Sequence, residues 1–293
     1  EDEYIKGPEK FPLDKGRWGY LPMPIQLLFK ESNLDCQISK TNTNLKADKP
    51  CLLRHGVEIS KTQSFIACIA DILYFGTQID TNNPITITDM KKHILSAINL
   101  DLFIKYQNGN LVNDFNNYSP SRYINIDKYS ETKIYNTVDK KNKEELIYLK
   151  KIISAYENFE NFLNDDDSII DHTYLWDIVC TPNKQLFTQG INLIIIRLPE
   201  NDITNNTEIL CPSNHYSVEI YEPRKPTVIL LKINDFYEPI YLYTSTKNKI
   251  KISKEFKERD PYLSTNIRNI LNNILKPIMN TLCKPLDSLP FTY

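Results

Sequence analysis

Before residue 170, three stretches of the chain place apolar residues at helical spacing. From Ser60 to Tyr74, Phe65, Ile66, Ile69, Ile72 and Leu73 recur at intervals of three and four, with Ser60 or Thr62 placed to cap the first turn. That pattern predicts a buried central helix. A second helix follows a Thr88 or Asp89 cap, runs through Met90, Ile94 and Ile98, and extends to Phe103. The third is the most regular: Leu146, Leu149, Ile152, Ile153, Tyr156, Phe159 and Leu163 follow Glu144 and Glu145, which suit the positive end of a helix dipole. Farther along, the period changes from helical to extended. Ile191 to Ile196 is an unbroken apolar run of strand length, Thr227 to Leu231 is another, and Tyr237 to Tyr243 alternates aromatic with aliphatic residues. Pro239 argues against a fully central place for that last strand. Helices first and strands later, around one buried helix, predict an α+β fold with a mixed sheet flanked by helices.

The flanks read differently. Glu1 to Lys49 clusters Pro8, Pro12, Pro22 and Pro24 around Gly16-Arg17-Trp18-Gly19-Tyr20, which predicts an extended arm docked through its prolines and aromatics, with Trp18 as a packing anchor. Residues 108–139 are polar and rich in turn formers. After Lys247 comes a basic run (Lys249, Lys251, Lys254, Lys257, Arg259) and then an amphipathic helix through Ile267, Ile270, Leu271, Ile274 and Leu275. The expected organisation is an arm over 1–49, a central domain over 50–245 and a basic, helical extension over 246–293.

Composition narrows the chemistry. At 293 residues with 41% hydrophobic content the chain can bury a core, and a net charge of −2 supplies no general attraction to nucleic acid or anionic membrane. No apolar run approaches the ~18 residues a spanning helix needs. Six cysteines stand singly, without Cys-x-x-Cys or a secretory leader, which predicts reduced thiols in an intracellular setting. Cys211-x-x-x-His215 is half a zinc site, and Asp165-Asp166-Asp167 lacks the spacing of a calcium loop, so it reads as a solvated turn. No glycine-rich phosphate cradle occurs, and neither metal nor cofactor is expected. Alternation of Lys249, Ile250, Lys251 and Ile252 reads as an edge strand with a charged outer face in preference to a nucleic-acid contact.

Lys61-Thr62-Gln63-Ser64-Phe65-Ile66-Ala67-Cys68-Ile69-Ala70 resembles, in position and pattern, the nucleophile motif of the ovarian-tumour (OTU) cysteine proteases, Asp-Gly-Asn-Cys-Leu-Phe followed by an apolar helix. Asn234-Asp235-Phe236-Tyr237-Glu238-Pro239-Ile240 resembles the closing strand of that family, in which a catalytic histidine precedes Tyr-Glu-Pro. Tyr174 to Ile178, followed by Leu186, Phe187 and the Ile191 strand, is similar to an intervening segment. The resemblance implies an OTU or papain-like fold with Ser64 in the seat of the thiol and Phe236 in that of the imidazole. A serine hydroxyl without an imidazole lacks the activation such a nucleophile needs, and losing one member of the unit costs about 10⁴ to 10⁶ in turnover. No catalytic residue is therefore expected. Gln63, Tyr237 and Glu238 become candidate binding residues, and Cys68 with His215 is the fallback pair for an active protease, although a cysteine in an Ile-Ala-Cys-Ile-Ala setting reads first as a small core residue.

A second resemblance concerns source. Lys15 to Pro22, Cys51 to Glu58 and Tyr216 to Tyr243 look like part of a large protein of giant DNA viruses of the mimivirus kind, of which this chain would be an N-terminal portion. It implies a host-cytoplasm (viral factory) or virion location. Taken together, the expectation is an inactive OTU-like module of a viral protein that recognises a protein partner, either ubiquitin or another viral subunit. The alternatives are an active deubiquitinase with displaced catalytic groups, and a nucleic-acid contact within a viral transcription or packaging assembly.

Overall fold

Every second residue of the central strands faces the opposite way, and here both directions are apolar. The computed structural model describes residues 4–77, 86–213 and 220–283. Its strands are β1 (Trp18–Gly19), β2 (Cys51–His55), β3 (Asn192–Leu198), β4 (Glu208–Leu210), β5 (Thr227–Ile233), β6 (Phe236–Thr246) and β7 (Lys249–Ser253). They form one mixed sheet in the order β1-β2-β6-β5-β3-β4, with β7 also paired to β6. The β3–β5 ladder is parallel and the other ladders are antiparallel. Leu193, Ile195, Val228 and Leu230 enter one hydrophobic cluster, whereas Ile194, Ile196, Ile229 and Leu231 enter a second. Burial on both faces is why these strands read as unbroken apolar runs.

The helices are α1 (Met23–Phe29), α2 (Asn33–Cys36), α3 (Ser64–Tyr74), α4 (Ile87–Ala97), α5 (Leu100–Phe103), α6 (Asn110–Phe115), α7 (Lys133–Thr137), α8 (Lys143–Asn164), α9 (His172–Cys180), α10 (Thr265–Asn269) and α11 (Lys276–Leu282), with a π-wound turn over Ile270–Leu275 joining the last two. Helices α3 to α9 contribute to the first cluster; α1 and α10 to α11 cover the second. The chain is thus an α+β protein with a mixed open sheet flanked by helices. Helix α8 matches its pattern, and its start is fixed by Asn142, whose side chain accepts from the N–H groups of Glu144 and Glu145.

Several details depart from the sequence expectations. Thr86, not Thr88 or Asp89, caps α4 by accepting from the Asp89 N–H. That helix stops at Ala97, because Asn99 accepts from the Leu102 N–H and starts α5 instead. Pro239 does lie in a central strand: residues 236–239 of β6 pair with β5 and residues 240–243 pair with β2, so the missing N–H falls where the strand changes partner. The arm is not simply extended, since it supplies β1, α1 and α2, and Trp18, Tyr20, Leu21, Ile25 and Phe29 are all buried. The tail is not merely appended either. Its β7 joins the sheet, with Lys249, Ile250 and Lys251 exposed as expected of a charged edge, and Ile267, Ile270, Leu271 and Leu275 are buried in the second cluster.

The expectation of reduced thiols is overturned for four cysteines: Cys36 is bonded to Cys51 and Cys211 to Cys283, leaving Cys68 and Cys180 free among the described residues. Sequence spacing could not reveal this, because partners 15 and 72 residues apart meet only through the fold.

One buried ion pair ties the arm to the sheet. Arg54 on β2 and Glu238 on β6 point to the same face and meet at 2.8 Å, both essentially without solvent exposure. The guanidinium also donates to the carbonyls of Tyr20 (2.7 Å), Lys10 (3.0 Å) and Gly7 (3.2 Å), while the carboxylate accepts from the Leu13 N–H at 2.6 Å. Burial pushes the Glu238 carboxyl above its usual range, opposed by Arg54 and the Leu13 N–H. Breaking such a pair leaves an uncompensated buried charge. Glu238→Ala is therefore expected to cost about 3–5 kcal/mol in urea unfolding, whereas Arg54→Met with Glu238→Met in one chain loses less than the single change. For the cysteines, alkylation after denaturation without reductant should modify two thiols by mass, and prior reduction should lower stability by roughly 2–5 kcal/mol.

Candidate functional site

Helix α3 approaches the sheet with its N-terminus at the start of β6. Ser60 prepares that approach: its hydroxyl accepts from the N–H groups of Thr62 (3.3 Å) and Gln63 (3.0 Å), closing a turn just before the helix. Gln63 then occupies the cap position without using its side chain as a cap. Its amide instead donates to the carbonyls of Asp165 (2.9 Å) and Ser168 (3.1 Å), and the Ile170 N–H donates to the Thr62 carbonyl. The acidic turn after α8 is thus a structural brace. Within it Asp165 accepts from Ser168 and from the Asp167 N–H, and Asp166 pairs with Lys91.

Ser64 and Phe236 do meet. They line one cleft together with Pro12, Leu13, Val57, Glu58, Ile59, Tyr237 and Glu238, and about 10 Å³ of space remains in it. That is at the lower limit for a single water. The Ser64 hydroxyl accepts from the Tyr237 N–H (3.0 Å) and donates to the Asp235 carbonyl (3.3 Å). Both bonds go to main chain, so the side chain fastens the helix to the strand. The Phe236 ring packs edge-on to Phe11 of the N-terminal segment, 6.4 Å between centroids.

The other predicted residues are placed as follows. Tyr237 and Glu238 line the cleft, whereas the Gln63 side chain turns to the Asp165–Ser168 segment; each is buried and hydrogen-bonded internally. Cys68 lies one turn along α3, fully buried, and its thiol is pushed well up by burial and by the nearby Asp71 and Glu238. Burial of this kind disfavours the thiolate, the reactive form of a cysteine. His215, its proposed partner, lies outside the described residues. Cys211 is committed to its disulfide, and among the described residues no cluster of three or more histidine, cysteine or acidic side chains is arranged to hold a metal ion.

Two polar centres escaped the sequence reading. His172, at the first turn of α9, shares its Nδ1 with the Tyr237 hydroxyl at 3.0 Å and lies 6.5 Å from the Phe65 ring. Asp171 is the cap of that helix, so the signal was an Asp-His pair at a helix start. The second centre is His55 on β2, whose Nδ1 meets Asp71 of α3 at 2.8 Å; Asp71 also accepts from the Tyr241 hydroxyl at 2.5 Å. Trp18 and Phe75 pack against this imidazole at 4.5 and 4.2 Å, and its Nε2 is buried without a partner. The adjacent Arg54-His55 inside an apolar run was the available sign.

Comparison with protein-family models, with curated protein sequences and with solved structures finds no match for this chain. No helix of the described residues is long and apolar enough to cross a membrane.

Burial lowers the pKa of His172, with Asp171 opposing and Lys232 and Arg197 reinforcing the shift. The unfolded chain takes up its proton near pH 6.5, and the folded chain does so only at lower pH. Between these values the unfolded state binds more protons, so this histidine makes stability rise with pH and fall as pH drops below about 6.5. Urea midpoints from pH 7 to pH 5 should show that slope, and His172→Gln should flatten it.

Proposed function

We propose that the chain is a catalytically inactive, OTU-like recognition module that binds a protein, either ubiquitin or another subunit of the viral protein assembly. The observation that carries this reading is the state of the Ser64 hydroxyl. It stands at the N-terminus of a buried helix, where a nucleophile would gain from the dipole, yet it is bonded to the main chain at the start of β6, and among the described residues no imidazole is bonded to it. Cys68 cannot substitute, because its thiol is sealed in the core. Two aliphatic side chains stand exposed near the start of α3, among polar neighbours such as Lys61 and Asp235. Ile59 is 52% exposed and Ile169 is 67% exposed, the latter on the brace that holds the helix start. Aliphatic side chains left in water beside a polar rim suit contact with a protein.

Two measurements test the reading together. A fluorogenic ubiquitin substrate should show no turnover above background, and the rate should be the same in Cys68→Ala; turnover that disappears in that variant establishes a cysteine protease instead. Calorimetric titration with mono-ubiquitin and with ubiquitin chains should give saturable binding, weakened about 10-fold or more by Ile59→Asp, equivalent to ~1.4 kcal/mol. No binding to any of them removes ubiquitin as the partner.

A further inference from the structure

The cleft beside Ser64 is closed by the chain itself. The Lys6 N–H donates to the Trp18 carbonyl (2.8 Å) and the Tyr20 N–H to the Lys6 carbonyl (2.9 Å), so residues 7–17 leave and re-enter the fold at nearly one point. Such a loop, with its ends pinned together, can move without undoing the sheet. Between its pinned ends Leu13 is the one fully buried residue, with Phe11 and Pro12 half-buried. Pro12 and Leu13 form one side of the cleft that Ser64 and Phe236 also line.

What holds this segment is chemically selective. Arg54 takes the carbonyls of Gly7 and Lys10, and Glu238 takes the N–H of Leu13; these bonds go to main-chain atoms and to no side chain of the segment. Close approach is built in, since a Cβ on Gly56 would lie 2.1 Å from the Asp14 carbonyl oxygen. If the segment leaves, the Arg54–Glu238 pair keeps its mutual bond and the Tyr20 carbonyl, so no charge is orphaned. A groove that reads main chain, is lined by apolar side chains and survives loss of its occupant has the properties of a peptide seat.

We infer that residues 7–14, which turn at Gly7–Lys10, form an autoinhibitory strap seated in a groove for a peptide backbone, and that a partner's peptide enters the groove only when the strap swings out. This goes beyond the recognition reading and does not depend on ubiquitin being the partner.

The test uses the full chain carrying Ser64→Cys, with maleimide labelling followed by peptide mass spectrometry and the native Cys68 as the reporter of global unfolding. With the strap in place, position 64 should label slowly. Adding Leu13→Ala should accelerate it about 10-fold or more while Cys68 stays protected, the signature of a local opening. Rapid labelling with the strap in place, or an unchanged rate in a folded Leu13→Ala chain, overturns the inference. Should Leu13→Ala unfold, hydrogen exchange on the unsubstituted chain decides: the Leu13 amide should exchange faster than that of Leu230, and equal protection overturns the strap. For the seat, a fluorescent peptide of residues 6–16 should bind a chain whose residues 8–13 are replaced by Gly and Ser, and should not bind the intact chain. No binding by the folded replacement chain, or equal binding by both, removes the peptide seat.

Discussion

A guanidinium buried at 0% exposure must find all its partners inside the protein, and the solution found for Arg54 organises the molecule. One partner is Glu238 on the neighbouring strand, which neutralises the charge. The rest are carbonyls of Gly7, Lys10 and Tyr20, supplied by a segment distant in sequence. The carbonyls of Gly7 and Lys10 hold the N-terminal segment against this pair, while Glu238 and the Tyr20 carbonyl by themselves keep the charge partnered. Glu238 also stands beside Tyr237, which receives the α3 helix through Ser64. One polar cluster thus couples the arm, both central strands and the cleft.

Helix α3 is fixed to β6 at two places. Near its start, Ser64 meets the Tyr237 N–H; two turns later, Asp71 meets the Tyr241 hydroxyl. Seven helical residues rise about 10.5 Å and four strand residues about 13 Å, so the two spacings match closely enough for both attachments to form without bending either element. Between them Cys68 and Ile69 face the core. The Ser64 hydroxyl is the fastener at one end, and the burial that makes α3 a sound core helix also pushes the Cys68 thiol well up.

Periodicity made the long elements legible. The α3 and α8 patterns, the β3 and β5 apolar runs and the alternation in β6 all correspond to elements of the structure, because burial on one or two faces leaves a repeat in the sequence. Boundaries set by single side chains were harder: Thr86 and Asn99 decide where helices start, and several neighbouring residues could have done so. Juxtaposition of Ser64 with Phe236 was anticipated, but the use made of Ser64 was not, since a hydrogen bond to a backbone group leaves no mark on composition. The candidate binding residues Gln63, Tyr237 and Glu238 are interior: a strand flanked on both sides buries Tyr237 and Glu238, and Gln63 is turned to the carbonyls of Asp165 and Ser168. His55 with Asp71, and His172 with Tyr237, join residues 16 and 65 apart, and no spacing rule reaches such pairs.

The second face of the sheet explains why the flanks belong to the same folding unit as the centre. Ile194, Ile196, Ile229, Leu231 and Ile240 are covered by Ile25 and Phe29 from the arm and by Ile267, Ile270, Leu271 and Leu275 from the tail. A segment limited to residues 50–245 would expose that face to water, at about 25 cal/mol for each Å² of apolar surface. Each disulfide crosses one of those boundaries, Cys36–Cys51 at the arm and Cys211–Cys283 at the tail. Cross-links of this kind act on the unfolded chain, shortening the excursions of the segments that must return to close the core. The composition of the flanks, polar and rich in proline or lysine, disguises this role, since only a minority of their residues point inward. Those few side chains, together with the carbonyls that Arg54 collects, are what both flanks contribute to the packing of the two-faced sheet.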